Sequence, residues 1–89
     1  MTWDLETSPE FQGDYRKHCR KNAAFRAAVD KKVAQMAENP LRYQPLKPPL
    51  AGVRRVHVAG SFVILFEPDR SRKTIRLLRL AHHDEAYGI

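Results

Sequence analysis

The stretch NPLRYQPLKPPLAG, residues 39–52, does most to limit how this chain can fold. It holds four of the six prolines. Proline lacks the amide hydrogen that a helix interior or a central strand needs. The stretch therefore reads as an extended surface connection, with Arg42, Tyr43 and Lys47 as its candidates to face a ligand. Regular structure must lie on either side of it, and the two sides carry different hydrophobic periods.

Before the prolines the period is helical, after one short strand. TWDLET alternates, with Trp3 and Leu5 on one face and Asp4 and Glu6 on the other, which predicts a half-buried strand. SPEF then reads as a helix start: Ser8 caps, Pro9 takes the first helical position and Glu10 lies in the first turn. Phe11, Tyr15 and Cys19 follow at four-residue spacing on one face. A second helix opens near Asn22, with Phe25, Val29, Val33 and Met36 as its core stripe and Arg26, Lys31 and Lys32 opposite. Pro40 disfavours a helical Asn39 and stops it. The two helices form a hairpin.

After the prolines the period is two. VRRVHVA places Val56 and Val58 on one face and Arg55 and His57 on the other. SFVILFE is an almost continuous apolar run, as expected of a central strand covered on both faces. TIRLLRLA is the last strand. Gly60 permits a tight turn between the first two, and PDRSRK joins the last two, giving an antiparallel meander. The expected architecture is α+β, in the order β-α-α-β-β-β. An antiparallel sheet packs on the N-terminal helical hairpin, in one domain spanning 1–89.

Sixteen basic and ten acidic residues leave a formal charge of +6 and a pI near 9.9. On so short a chain that field favours an anionic partner such as nucleic acid. A single cysteine, Cys19, excludes an internal disulfide framework and reads as a small core residue. No apolar run approaches the roughly 20 residues that span a bilayer, and the acidic, polar start has no signal-peptide pattern, so a cytoplasmic protein without membrane contact is expected.

The chain closes on LRLAHHDEAYGI, which gathers two histidines, two carboxylates and a tyrosine. Adjacent residues on a strand point to opposite faces, so His82 and His83 cannot share a metal there. No zinc-type spacing is present, and no metal or other cofactor is expected. Asp84 and Glu85 read as residues that cap or turn the chain. Arg79 and His83 fall in one parity class of the last strand, as Arg55 and His57 do on the earlier one. If the meander brings these strands together, one sheet face carries two imidazoles among arginines, with Tyr87 at its edge. That set suits RNA scission by the strand's own 2′-hydroxyl. One group takes the 2′ proton, another protonates the leaving 5′ oxygen, and cations meet the developing phosphate charge. Histidine serves as acid or base near neutral pH, arginine forks onto phosphate, and tyrosine stacks on an unpaired base. The plain alternative is that Arg54, Arg55, Arg76 and Arg79 form only the solvated face of a basic sheet.

Three features together make the chain resemble the RelE/ParE superfamily of type II toxins, nearest to its RelE and YafQ-like mRNA interferases. They are the element order, the NP…LKPPLAG approach to VRRVHVAGSFVILFE, and the closing RLLRLAHHDEAYG. The resemblance implies a metal-independent endoribonuclease that cleaves mRNA in the ribosomal A site, inhibits translation and is neutralised by a cognate antitoxin in a hetero-oligomer. Under it His57 and His83 are the candidate acid and base, and Arg55 contacts phosphate. Tyr87 stacks on the substrate base, and Lys47 lies in the basic loop before the strand.

The chain also departs from the family pattern. Val63 stands where RelE-type enzymes carry an arginine, Ser61 where the YafQ-like branch has an aspartate, and Pro48 near that branch's upstream histidine. Contacts to RNA then fall to Lys47, Arg54, Ser61, Arg76 and Arg79. Two other readings remain: a ParE-like toxin that inhibits gyrase without RNA chemistry, and a catalytically inactive binding or corepressor module.

Overall fold

The computed structural model describes residues 2–46 and 52–86, with side chains as far as Asp84. The elements are β1 (Asp4–Thr7), α1 (Pro9–Cys19), α2 (Ala23–Glu38), a 3-10 turn (Pro40–Arg42), β2 (Arg54–Val58), β3 (Phe62–Asp69), β4 (Thr74–His82) and a single turn of helix, α3 (His83–Ala86). The sequence-derived order holds, with α3 added after the last strand. Both helix starts follow from their caps. Ser8 Oγ accepts the Phe11 amide at 3.0 Å, and Asn22 Oδ1 accepts the Phe25 amide at 3.0 Å. The Ser8 hydroxyl also donates to the Leu78 carbonyl at 2.8 Å, tying the start of α1 to β4.

The sheet order is β1-β4-β3-β2. β2, β3 and β4 form the expected antiparallel meander. β1 differs: it lies parallel to β4, Leu5 opposite Ile75, so the four-stranded sheet is mixed. The helical hairpin supplies the crossover that a parallel neighbour requires. As an edge strand β1 is less covered than its alternation suggests, and Leu5 remains 45% exposed.

One face of the sheet packs on the helices. Val29, Met36, Ile64, Phe66, Ile75 and Leu80 are all fully buried there. The other face holds a smaller apolar group, Val63, Leu65 and Ala81, also buried. β3 is therefore covered on both sides, as its continuous apolar run requires.

A bulge decides what β4 presents. Leu65 pairs with Arg79 but Phe66 pairs with Leu77, so Leu78 is an extra residue. Strict alternation would put Arg76 and Arg79 on opposite faces. With the bulge, Arg79 lies beside Leu65 and Arg76 beside Glu67, both on the face away from the helices. The β2–β3 turn uses two left-handed residues, Ala59 (φ 52°) and Gly60 (φ 79°). In the β3–β4 turn the Asp69 carboxylate accepts the Ser71 hydroxyl and the amides of Ser71 and Arg72. Those bonds, the Ser71 hydroxyl first, hold its carboxyl below the usual range.

Cys19 is buried at the end of α1. Burial first, then the nearby Asp30 carboxylate, raises its thiol above the ordinary value. The thiolate is the reactive form. Iodoacetamide at pH 8 is therefore expected to label native Cys19 at least about tenfold more slowly than the unfolded chain. Equal rates, read by mass spectrometry, would contradict this packing.

Candidate active site

The site is assembled at the end of the sheet that carries the β2–β3 turn. His57 is exposed on β2, on the face away from the helices, in the row His57–Val63–Ala81. Beyond His82 the chain leaves β4. The His83 amide donates to the Ser61 carbonyl at 2.7 Å, which pins the start of α3 against the β2–β3 turn. This places the His83 ring over that of His57, with centroids 6.2 Å apart and planes 24° from parallel. Arg55 projects from the same face two residues before His57, about 7 Å along the strand. Val63 on β3 and Ala81 on β4, both buried, complete the row that His57 begins.

His82 goes the other way. It pairs with Phe62 on the helix side, and their rings meet edge to face at 5.6 Å. The adjacent histidines are thus divided between the two faces, as alternation predicts. Among the described residues no three His, Cys, Asp or Glu side chains converge as metal ligands. Asp84 sits between the two rings: its carboxylate lies 3.4 Å from His83 Nδ1 and 3.8 Å from His82 Nδ1. Its backbone amide donates to His82 Nδ1 at 3.3 Å. A proton on His83 Nδ1 facing Asp84 leaves the lone pair on Nε2. Asp84, itself largely exposed, thus touches a candidate catalytic ring as well as turning the chain. The juxtaposition in HHDE was the available sequence signal for this.

The other sequence-predicted residues are placed as follows. Arg55, His57 and His83 come together. Ser61 contributes its backbone carbonyl. Lys47 and Tyr87 lie outside the described residues. Arg54, in register with Phe66, is on the helix side, where its guanidinium donates to the carbonyls of Leu41 and Tyr43. Its place is away from the histidines because β2 alternates. Arg76 is on their face but four β3 positions from Val63, about 13 Å along the strand, and it pairs with Glu6 at 3.8 Å. Arg79 is in the Arg55–Leu65 row, yet its fork is held by Asp14: Nε–Oδ2 2.7 Å and Nη2–Oδ1 3.2 Å. Asp14 Oδ2 also accepts the Leu80 amide at 3.0 Å, closing the β4 edge that β1 leaves open beyond Thr7. Arg54, Arg76 and Arg79, expected from the sequence to contact phosphate, thus each have an internal carbonyl or carboxylate partner. Sequence offers no signal for Asp14, which lies 65 residues from Arg79.

Arg54→Ala would strand two carbonyls at the connection. It is expected to cost about 1–3 kcal/mol, read as a lower denaturation midpoint at unchanged slope. An unchanged midpoint would show that water replaces the guanidinium without loss.

A two-layer α+β domain of this order is the fold of the small toxins of the RelE/ParE superfamily, and the comparisons agree. Residues 5–87 match the family described as ParE toxin of type II toxin-antitoxin system, parDE; the chain belongs to that family. It is 31% identical over 85 residues to a putative toxin RelE4 of Methanocaldococcus jannaschii, covering 96% of this chain and 90% of that protein. Among solved structures it is similar to the RelBE2 toxin–antitoxin complex of Mycobacterium tuberculosis, with TM-score 0.78, 24% identity and 92% of each chain covered. It is similar also to YafQ of E. coli, with TM-score 0.76, 22% identity, and 97% of this chain and 99% of that one covered. At these identities the two structures speak for the fold. Among the described residues no helix is long and apolar enough to cross a membrane.

Proposed function

We propose that this toxin is a cytoplasmic endoribonuclease that cleaves mRNA on the ribosome and so halts translation. The observation that carries the reading is the parallel pair His57 and His83 on the face shared with Arg55. One imidazole, neutral, takes the proton of the ribose 2′-hydroxyl. The 2′ oxygen attacks phosphorus, the bond to the 5′ oxygen breaks, and the other imidazole, protonated, delivers a proton to that leaving oxygen. The products are a 2′,3′-cyclic phosphate and a 5′-hydroxyl. Arg55 meets the charge on the non-bridging oxygens. Tyr87 takes the stacking role and Lys47 a backbone contact by resemblance to the family. An antitoxin is the partner that neutralises the protein, an extended acidic segment covering the basic face. The similarity to a chain of a toxin–antitoxin complex supports this. The test is a reconstituted translation reaction: the folded protein is expected to cut ribosome-bound mRNA, leaving cyclic phosphate ends. Intact message would overturn the proposal.

The family match favours a second reading, a ParE-like toxin that acts on gyrase. Val63, buried where RelE-type enzymes carry an arginine, is consistent with it. A supercoiling assay separates the two: the nuclease leaves gyrase activity unchanged, and inhibition at stoichiometric toxin would support the second.

A further inference from the structure

A dense run of positive charge lies away from the histidine pair. Arg16, Lys17, Arg20 and Lys21 put four cations within six residues at the end of α1, with no carboxylate among them, in a chain whose net charge is +6. All four are exposed. Among the described residues none of them is in an ion pair, whereas Arg26, Arg72, Arg76 and Arg79 all are. Some positive charge is expected where a helix ends, but the dipole there is worth about half an elementary charge, far short of four. Arg16, Lys17 and Arg20 also border a hollow of about 420 Å³ beside Gly13 and Asn22.

A run of rings leads from this turn, along the helix side, to the sheet end that carries the histidine pair on its other face. His18, within the basic run, meets Phe62 edge to face at 4.9 Å. Phe62 meets His82 at 5.6 Å, and His82 directly precedes His83, which stacks on His57. His18, Phe62 and His82 are each only partly buried. Rings beside a cationic track are the recognition chemistry of single-stranded nucleic acid, whose bases stack while its phosphates are neutralised. An acidic peptide would use the cations but not the rings.

We propose that an RNA strand held at His57 and His83 continues round the end of the sheet, over Phe62, His82 and His18, and that Arg16, Lys17, Arg20 and Lys21 take its backbone phosphates. This rests on the nuclease reading for the position of the reacting phosphate, and it makes the substrate an extended single strand. The binding it adds is sequence-independent and salt-sensitive.

The test is fluorescence anisotropy with fully 2′-O-methylated, hence uncleavable, RNA of three and ten nucleotides. Wild type is expected to bind the ten-mer at least about tenfold more tightly at 0.1 M salt. The variant R16Q/K17Q/R20Q/K21Q is expected to lose that gain, and its salt slope should fall by up to about 3, at roughly 0.7 per phosphate contact. Arg16→Lys with Arg20→Lys should keep the gain, because charge rather than forked geometry is used. If the fourfold variant lacks the wild-type circular dichroism, Lys17→Glu with Lys21→Glu is measured instead and should lose at least half the slope change. A correctly folded variant that binds the ten-mer as wild type does would overturn the inference. So would a variant that loses affinity only for a poly-glutamate peptide. The mRNA cleavage assay reports on the nuclease reading separately: cleavage with no length effect sinks only the extended path, and a length effect without cleavage sinks only the nuclease.

Discussion

Replacing His83 with alanine is expected to lower the rate of ribosome-bound mRNA cleavage by about 10²–10⁴-fold, the usual worth of a general acid or base. His57→Ala should cost a similar factor. The double variant should lose much less than the product of the two, because stacked groups that serve one proton-transfer sequence act as a unit. Both rings are exposed, so neither substitution should move stability by more than about 0.5 kcal/mol, and a matching thermal melt is the control. Single-turnover cleavage within threefold of wild type in both variants would show that the stacked pair is not the catalytic centre.

Asp14→Ala is the largest expected loss of stability outside the apolar core. It removes three bonds at once: two to the Arg79 fork and one to the Leu80 amide. Asp14 and Arg79 are only 15% and 30% exposed, so a guanidinium is left in poor solvent contact and an edge amide is left without its acceptor. A fully buried pair broken in this way costs about 3–5 kcal/mol; the remaining exposure lowers the expectation to about 2–3 kcal/mol. For a chain of this size that is a fall in Tm of about 10–20 °C. Asp14→Asn can still accept the Leu80 amide and should lose roughly half as much. A drop below about 3 °C for the alanine variant would show that the pair is a surface contact of little weight. The bonds also fasten the last residues of β4 to α1, just before His83. Asp14→Ala should therefore weaken cleavage at temperatures below its own melting point.

How far the site could be read from sequence depended on the range of the interaction. Alternation predicts that His82 and His83 part, and their rings do have different partners, but His83 opens α3 beyond the strand and its tie to the Ser61 carbonyl sets its place. The shared face of Arg55 and His57 needed only the same rule. Alternation already sets Arg54 on the Val56 face, but nothing local shows that Arg54, Arg76 and Arg79 have internal partners. The Leu41 and Tyr43 carbonyls, Glu6 and Asp14 that engage them lie 11–70 residues away. Arg16, Lys17, Arg20 and Lys21, by contrast, have no carboxylate among them in sequence, and among the described residues none is in an ion pair.

The amino-acid sequence by itself determined the elements. Ser8 and Asn22 start the helices, Pro40 ends the second, Gly60 turns the meander, and the periods of 3.6 and 2 assign each half. These are local, because caps, prolines and alternation act within a few residues. Only the tertiary structure decided that β1 lies parallel against β4, that a bulge at Leu78 puts Arg76 and Arg79 on one face, and that the Ser61 carbonyl draws His83 over His57. Each of these is a contact between segments far apart in the chain. Its geometry is set by strand register and by which edge group is left without a partner, and neither quantity is written in any single segment.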